Sequence, residues 1–266
     1  MKLTIAHKTR YAYEQQVRQS TQYLRLTPQD SIHQHVLSWE LLLPEQAVET
    51  TDTWGNVLHV LTLDTPHQWL EIEARGVVEI VDQDVLSCDP DSPLSPMIFL
   101  RGTPLTQPDE ALRDFALRYW RPEAPMLSLE KLMSEILLRM PWQPGSTSVS
   151  DTAATAFAAR TGVCQDHSHV FLACCRSLQV PARYVSGYLY TDNVEHVATH
   201  AWVEAWLDGC WHSFDITNNT RSVQQHLKLA IGIDYLDACP VRGVRLGGGA
   251  ENMRAIAAVQ RIQPQQ

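Results

Sequence analysis

The chain predicts an α+β protein in which helices pack on an antiparallel sheet and an all-β domain comes first. Three observations predict it. Residues 1 to about 84 alternate apolar and polar positions, residues 108–178 change to helical spacing, and residues 184–217 return to alternation around Asp208-Gly209. Strands, then helices, then strands are segregated along the chain, which is the α+β pattern.

With 266 residues, 44% of them hydrophobic, the chain can build one or two domains with a real core. We divide it into an N-terminal β-sandwich domain (1–84), a proline-rich connection (85–107) and a core with a C-terminal extension (108–266). The net charge of −9 argues against nucleic acid or an anionic membrane as the main partner, since both need a concentrated basic surface. The N-terminal apolar run, Leu3 to Ala6, is too short for a signal or a span, so a cytoplasmic location is expected. Six unevenly spaced cysteines, Cys88, Cys164, Cys174, Cys175, Cys210 and Cys239, do not form a disulfide framework and are expected as reduced thiols.

In chain order, LTIAHKTRYAYE, VLSWELLLP, NVLHVLTLD and LEIEARGVVEIV read as strands, with a turn at Trp54-Gly55-Asn56. His33, His35, His59 and His67 fall on different segments and read as surface or strand positions, not metal ligands. Pro90, Pro93, Pro96, Pro104 and Pro108 mark the connection, whose LRGTPLT portion should lie extended against the core. Pro108 suits the first turn of a helix carrying Leu112, Phe115, Ala116 and Tyr119. Ser128 is a cap for a second helix with the apolar stripe Leu129, Leu132, Met133, Ile136, Leu137 and Met140. WQPGSTSVS reads as a loop, and Asp151 as the cap of an alanine-rich helix over 152–160. Gly162 ends that pattern, and Cys164 opens the next helix, which runs through Val170, Phe171, Cys174 and Leu178. Past Thr220, GIDYLDACPVRGVRLGGG reads as a loop, followed by a strand around Met253 to Ile262. Gly247–Gly249 lack the strand before and helix after that a phosphate loop needs, and read as a flexible turn.

The chemistry points to Cys164. A thiol at a helix start meets unpaired N–H groups and the positive end of the dipole, both of which favour thiolate. Alone, such a cysteine is as well explained by packing. THAWVEAWLDGCWHSFDIT adds what a nucleophile needs, because Asp208-Gly209 between two alternating segments is a two-residue hairpin signal. Cross-strand partners then place Asp215 opposite Trp202, and His200, Trp202, Glu204, Trp206, Trp211, Ser213 and Asp215 on one face. His200 and Asp215 become diagonal neighbours, roughly 7–8 Å apart at the backbone, within side-chain reach. Thiol, imidazole and carboxylate in the order Cys164, His200, Asp215 form a proton-passing set.

Rival readings carry less. Cys164, His167 and His169 offer no second ligand pair at zinc-like spacing, and no metal or cofactor is expected. Adjacent Cys174 and Cys175 read as packing residues. Asp166 lies in the first turn of the cysteine helix, and Glu204 reads as a structural ion pair.

GVCQDHSHVF, PARYVSGYL, HAWVEAWL and WHSFDIT together resemble the core of the bacterial transglutaminase-like superfamily, and HKTRYAYEQQVRQSTQYLRLTP is similar to the β-rich N-terminal domain that precedes it. DYLDACPVRGVRLGGG resembles the C-terminal segment of those proteins. The chain differs in having Ile216 where the family often has proline, His167 where an aromatic is common, and Ile233 where an arginine often precedes the Asp-Tyr pair. The resemblance implies a papain-like core with Cys164 as nucleophile, His200 as base and Asp215 as orienting acid, and makes Trp142 and Gln165 candidates for oxyanion or substrate contacts. It implies acyl transfer from a peptide or protein substrate through a thioester. Hydrolysis is the expected outcome, protein-glutamine γ-glutamyl transfer the alternative, and a scaffold with a retired site a third reading.

Overall fold

A computed structural model describes residues 1–81, 94–191 and 199–262. Five strands come first: β1 (Lys2–Leu24), β2 (Gln34–Leu42), β3 (Val48–Thr51), β4 (Val57–Leu63) and β5 (His67–Ile80). Four helices follow, α1 (Glu110–Tyr119), α2 (Pro125–Arg139), α3 (Ala153–Ala159) and α4 (Cys164–Ser177). Then come β6 (Ala182–Leu189), β7 (Thr199–Leu207), β8 (Cys210–Phe214), β9 (His226–Gly232), the single turn α5 (Tyr235–Ala238), β10 (Val241–Gly247) and β11 (Glu251–Arg261).

The all-β N-terminal part is one curled, half-barrel sheet organised on β1. Alternation along β1 buries Leu3, Ile5, His7, Thr9, Tyr11 and Tyr13 on a single face. β5 and then β4 run antiparallel along one side of it, β11 and then β10 along the other, with β2 outside β5 and β3 outside β4. The rows bend at one level. β1 is irregular between Ala12 and Val17, and opposite it Gly247, Gly248 and Gly249 take φ of 86°, 96° and 64°. Gly247–Gly249 are therefore the bend of a row and not a flexible turn. The segment read as an extension of the core supplies the last row of the first sheet, with β10 where the sequence suggested a loop.

The second sheet has the order β8-β7-β6-β9, all neighbours antiparallel. Tyr188 of β6 and Leu227 and Leu229 of β9 join the apolar cluster of the first sheet, while Val203, Ala205 and Phe214 pack with α4 on the other face. The result is three layers: helices, second sheet, first sheet. Burying the apolar face of β1 against β6 and β9 is worth about 25 cal/mol per Å² removed from water, which makes it a principal bond between the two sheets. Arg176 of α4 fastens the connection, donating to Phe99 O, Thr106 Oγ1, Ala182 O and Ile233 O. Leu105 and Thr106 are accordingly buried, so the LRGTPLT portion lies on the core, but as the end of a short 3-10 segment and a turn closed by Thr106 N on Thr103 O, not extended as expected.

α4 starts at Cys164 as expected, while the starts of α1, α2 and α3 fall one to four residues from the expected caps. Asp109, accepting from Leu112 N, begins α1 in place of Pro108. Ala124 precedes α2, and the buried Ser128 hydroxyl instead donates to Ala124 O and accepts from Arg121 N. Thr152 caps α3, because Asp151 is spent on Ser148 N. Cys164, Cys174, Cys175 and Cys239 are free, but Cys210 is disulfide-bonded, which corrects the expectation of reduced thiols throughout. Cys88, Pro90 and Pro93 lie outside the described residues. No helix among the described residues is long and apolar enough to cross a membrane.

Candidate active site

The Asp-Gly turn does what its chemistry dictates. Asp208 and Gly209 have φ of 51° and 86°, and the ladder runs from Leu207 opposite Cys210 to Val203 opposite Phe214. This register delivers Asp215 to the end of β8 beside His200 near the start of β7, and His200 Nε2 lies 2.8 Å from Asp215 Oδ2. The ring is also hydrogen-bonded with Cys164, and since Nε2 is taken by the carboxylate, Nδ1 is the nitrogen left to the sulfur. The three residues named from the sequence are brought together.

α4 presents Cys164 as its first residue. Asp166 Oδ2 accepts from Val163 N at 2.8 Å and from Thr147 Oγ1 at 2.6 Å, so this carboxylate closes the helix start and is not aimed at the sulfur. His167 braces the same helix from behind, Nε2 donating to Met140 O and Nδ1 accepting from Thr217 Oγ1. His169 Nε2 accepts from Tyr235 N. Both histidines are committed to hydrogen bonds, which removes the Cys164–His167–His169 metal reading. Glu204 pairs with Arg183 at 2.6 Å and Lys228 at 2.9 Å, a buried ionic group four residues along β7 from His200.

Two residues escaped the sequence reading, His226 and Asn218. His226, at the start of β9, donates from Nε2 to Asp215 Oδ2 at 2.8 Å. Asn218 Nδ2 donates to the same oxygen at 2.6 Å and Asn218 N to Oδ1 at 3.1 Å. Asp215 Oδ2 thus faces three donors. Burial alone would raise this carboxyl, but the hydrogen bonds from His200 and His226 and their charge hold it well below the usual range. Burial would likewise lower His200, yet the hydrogen bonds with Asp215 and Cys164 and the charges behind them push it up to about 10. His226 goes the other way, pushed down by burial and by the charge of His200 despite Asp215. The ligand atoms of His200, Asp215 and His226 lie within 4.8 Å of one another, close enough to hold a metal ion. In the present arrangement both Nε2 atoms turn protons, not lone pairs, to Asp215. A signal for His226 existed in HLKLAIG, a short alternating run, but nothing in it says that β9 lies next to β6.

Cys164 and His200 share a cavity of about 250 Å³. Gln165 lines it, with its amide donating to Val149 O at 3.2 Å. Trp142 is bridged through its backbone to Gly162, is 45% exposed, and is not among the lining residues. A slightly larger cavity, about 290 Å³, is lined by Trp54, Arg183 and Lys228 and by neither Cys164 nor His200.

Comparison with known proteins matches residues 3–79 to the bacterial transglutaminase-like N-terminal region and residues 118–216 to the transglutaminase-like superfamily. An uncharacterised protein of Mycobacterium leprae is 27% identical, covering 98% of this chain and 99% of that protein. One of Mycobacterium tuberculosis is 29% identical over 90% of this chain and 86% of its own length. Among solved structures, a candidate cysteine protease from Cytophaga hutchinsonii superposes with a TM-score of 0.77 at 22% identity, over 100% of this chain and 92% of that one, a likeness of fold. β9, β10 and β11 lie beyond the matched core.

Proposed function

The chain belongs to the transglutaminase-like superfamily, with the bacterial transglutaminase-like region at its N-terminus, and we propose that it performs cysteine-dependent acyl transfer on a peptide or glutamine amide. The observation that carries this reading is the ring of His200, hydrogen-bonded to Asp215 on one side and to Cys164 on the other, at the floor of a cavity. In the proposed reaction the Cys164 sulfur attacks the carbonyl carbon, a C–S bond forms, and the C–N bond breaks. The proton taken up by His200 goes to the leaving amine. Asp215 holds the ring in place and stabilises its charged form. The backbone N–H of Cys164, at the first helical position where no carbonyl four residues earlier is available, is the first oxyanion donor. Gln165 is the second, once its amide leaves Val149 O. Trp142 has less support, since it does not line the cavity.

Water then takes the acyl group from the thioester. An amine acceptor would bring an ammonium into the site, and among the described lining residues there is no Asp or Glu to receive it. This favours hydrolysis over glutamine crosslinking. Alkylation of Cys164 by iodoacetamide at pH 7 should fall at least tenfold in His200→Ala, and equal rates in the two proteins would undo the pairing. Incubation with a glutamine peptide, with and without a primary amine, separates the outcomes by product mass. Hydrolysis of the carboxamide replaces ammonia with water, cleavage of the backbone splits the peptide across an added water, transfer replaces ammonia with the amine, and an unchanged peptide leaves only a binding role.

A further inference from the structure

One wall of the Cys164 cavity does not come from the catalytic core. His7, Thr9 and Tyr11 of β1 and Met253 and Ala255 of β11 face it, all from the first sheet. They sit in register. Tyr11 pairs with Met253, and Thr9 with Ala255, so two adjacent cross-strand pairs present one patch. Opposite them stand Cys164 at the start of α4 and the Gly187–His200 and Ser186–Ala201 pairs of β6 and β7. The cavity is a slot between the two sheets, and the acyl donor must enter beside this patch to reach the sulfur.

Away from the catalytic pair Cys164 and His200, the chemistry of the slot is uniform. Among its described lining residues there is no Asp, Glu, Lys or Arg. The titratable groups of the wall stay uncharged at neutral pH. His7 is pushed down to about 4 by burial, with Nδ1 on the Tyr188 hydroxyl at 2.6 Å and Nε2 on Thr9 Oγ1 at 3.0 Å. Burial pushes Tyr11 up, and Tyr235 up to about 12. A volume of about 250 Å³ lies below the roughly 300–1,000 Å³ of sites for drug-sized ligands, which suits one side chain with its carbonyl.

We propose that the first sheet sets the substrate class of the site: it selects an acyl donor whose reacting residue carries an uncharged, apolar or aromatic side chain. This rests on the acyl-transfer reading above. A charged side chain lodged against this wall would lose its water and find no partner outside the Cys164–His200 pair, and desolvation of an unpaired ion is the costliest form of mismatch. An apolar chain gains contact with Tyr11, Met253 and Ala255.

The test uses the full chain with N-acetyl p-nitroanilides of Leu, Phe, Glu and Lys, following nitroaniline release and the mass of acid-quenched acyl-enzyme. Leu and Phe donors should exceed Glu and Lys donors in kcat/KM by on the order of 100-fold. Ala255→Glu should raise the Lys-to-Leu ratio at least tenfold, and Met253→Lys the Glu-to-Leu ratio. Circular dichroism checks folding. Should Ala255→Glu not fold, Met253, already 56% exposed, carries the test. Equal rates for charged and neutral donors, or ratios unmoved by the folded variants, would overturn the role of the first sheet while leaving acyl transfer standing. Failure of every donor to acylate Cys164 would remove the acyl-transfer reading and this one with it.

Discussion

Asp215 Oδ2 is crowded for a single oxygen, since His200, His226 and Asn218 all donate to it. Each donor steadies the carboxylate that in turn steadies His200, so loss of one should be felt at the sulfur. A hydrogen bond to a charged group is worth about 1.5–3 kcal/mol. His226→Phe should therefore lower kcat about 10- to 100-fold with a smaller change in KM, and His226→Gln, which keeps a donor, should recover part of it. A purely structural His226 would instead lower the melting temperature of both variants with kcat per folded molecule unchanged. Asp215→Asn reverses a hydrogen bond and should cost on the order of 10⁴ in kcat, measured on the same substrate. The sequence disclosed His200 and Asp215 because a two-residue turn fixes register by arithmetic from Asp208 and Gly209. It did not disclose His226, because β9 reaches the site by crossing to the far edge of β6, and no local signal encodes which edge a strand will join.

At the level of elements, the site depends on two close approaches. At the start of α4, Gly162 lets Asp166 fold back on Val163 N, and a Cβ at Gly162 would meet Asp166 Cβ at 2.6 Å. Asp166→Ala removes this closure and the Thr147 bond together and should cost about 1–2 kcal/mol, a fall of some 2–8 °C in Tm. It should also slow alkylation of Cys164, whose backbone it orients. Between β6 and β9, a Cβ at Gly187 would meet the Leu227 carbonyl oxygen at 2.0 Å and the Trp202 ring at 2.9 Å. Gly187→Ala should push β9 and His226 away from Asp215, destabilising by about 1–3 kcal/mol and lowering kcat more than an equally destabilising change in the first sheet. Calorimetry and kinetics on both variants check this. Helix existence was legible from periodicity, while three helix starts were misassigned because Ser, Thr and Asp near a start also hydrogen-bond one another. Ser128 on Ala124 O and Asp151 on Ser148 N are such competitors.

Across the whole molecule, protons are distributed so that stability has two limbs. His7, between the sheets, and His169, between α4 and β6, are both pushed down to about 4, mainly by burial. A ring depressed in the folded state contributes stability above its unfolded value near 6.5, and that contribution is lost as pH falls towards 4, because the unfolded chain binds the proton first. At 1.36 kcal/mol per tenfold change in proton affinity, each ring contributes up to about 3 kcal/mol. His200, raised to about 10, has the opposite sign: its contribution is complete below 6.5 and is lost as pH rises towards 10. Thermal unfolding should therefore give the highest Tm near pH 6.5, with a fall on both sides. His7→Gln keeps hydrogen-bonding groups for Tyr188 and Thr9 but cannot titrate, so it should roughly halve the acid limb, leaving the share of His169, and leave the alkaline one. His200→Gln should do the reverse, flattening only the limb above 6.5. A Tm that is level from pH 4 to 10, or a His7→Gln profile parallel to that of wild type, would mean that the inter-sheet layer is wetter than its burial implies. The wall beside Cys164, built on the same layer, would then lose its claim to exclude charge.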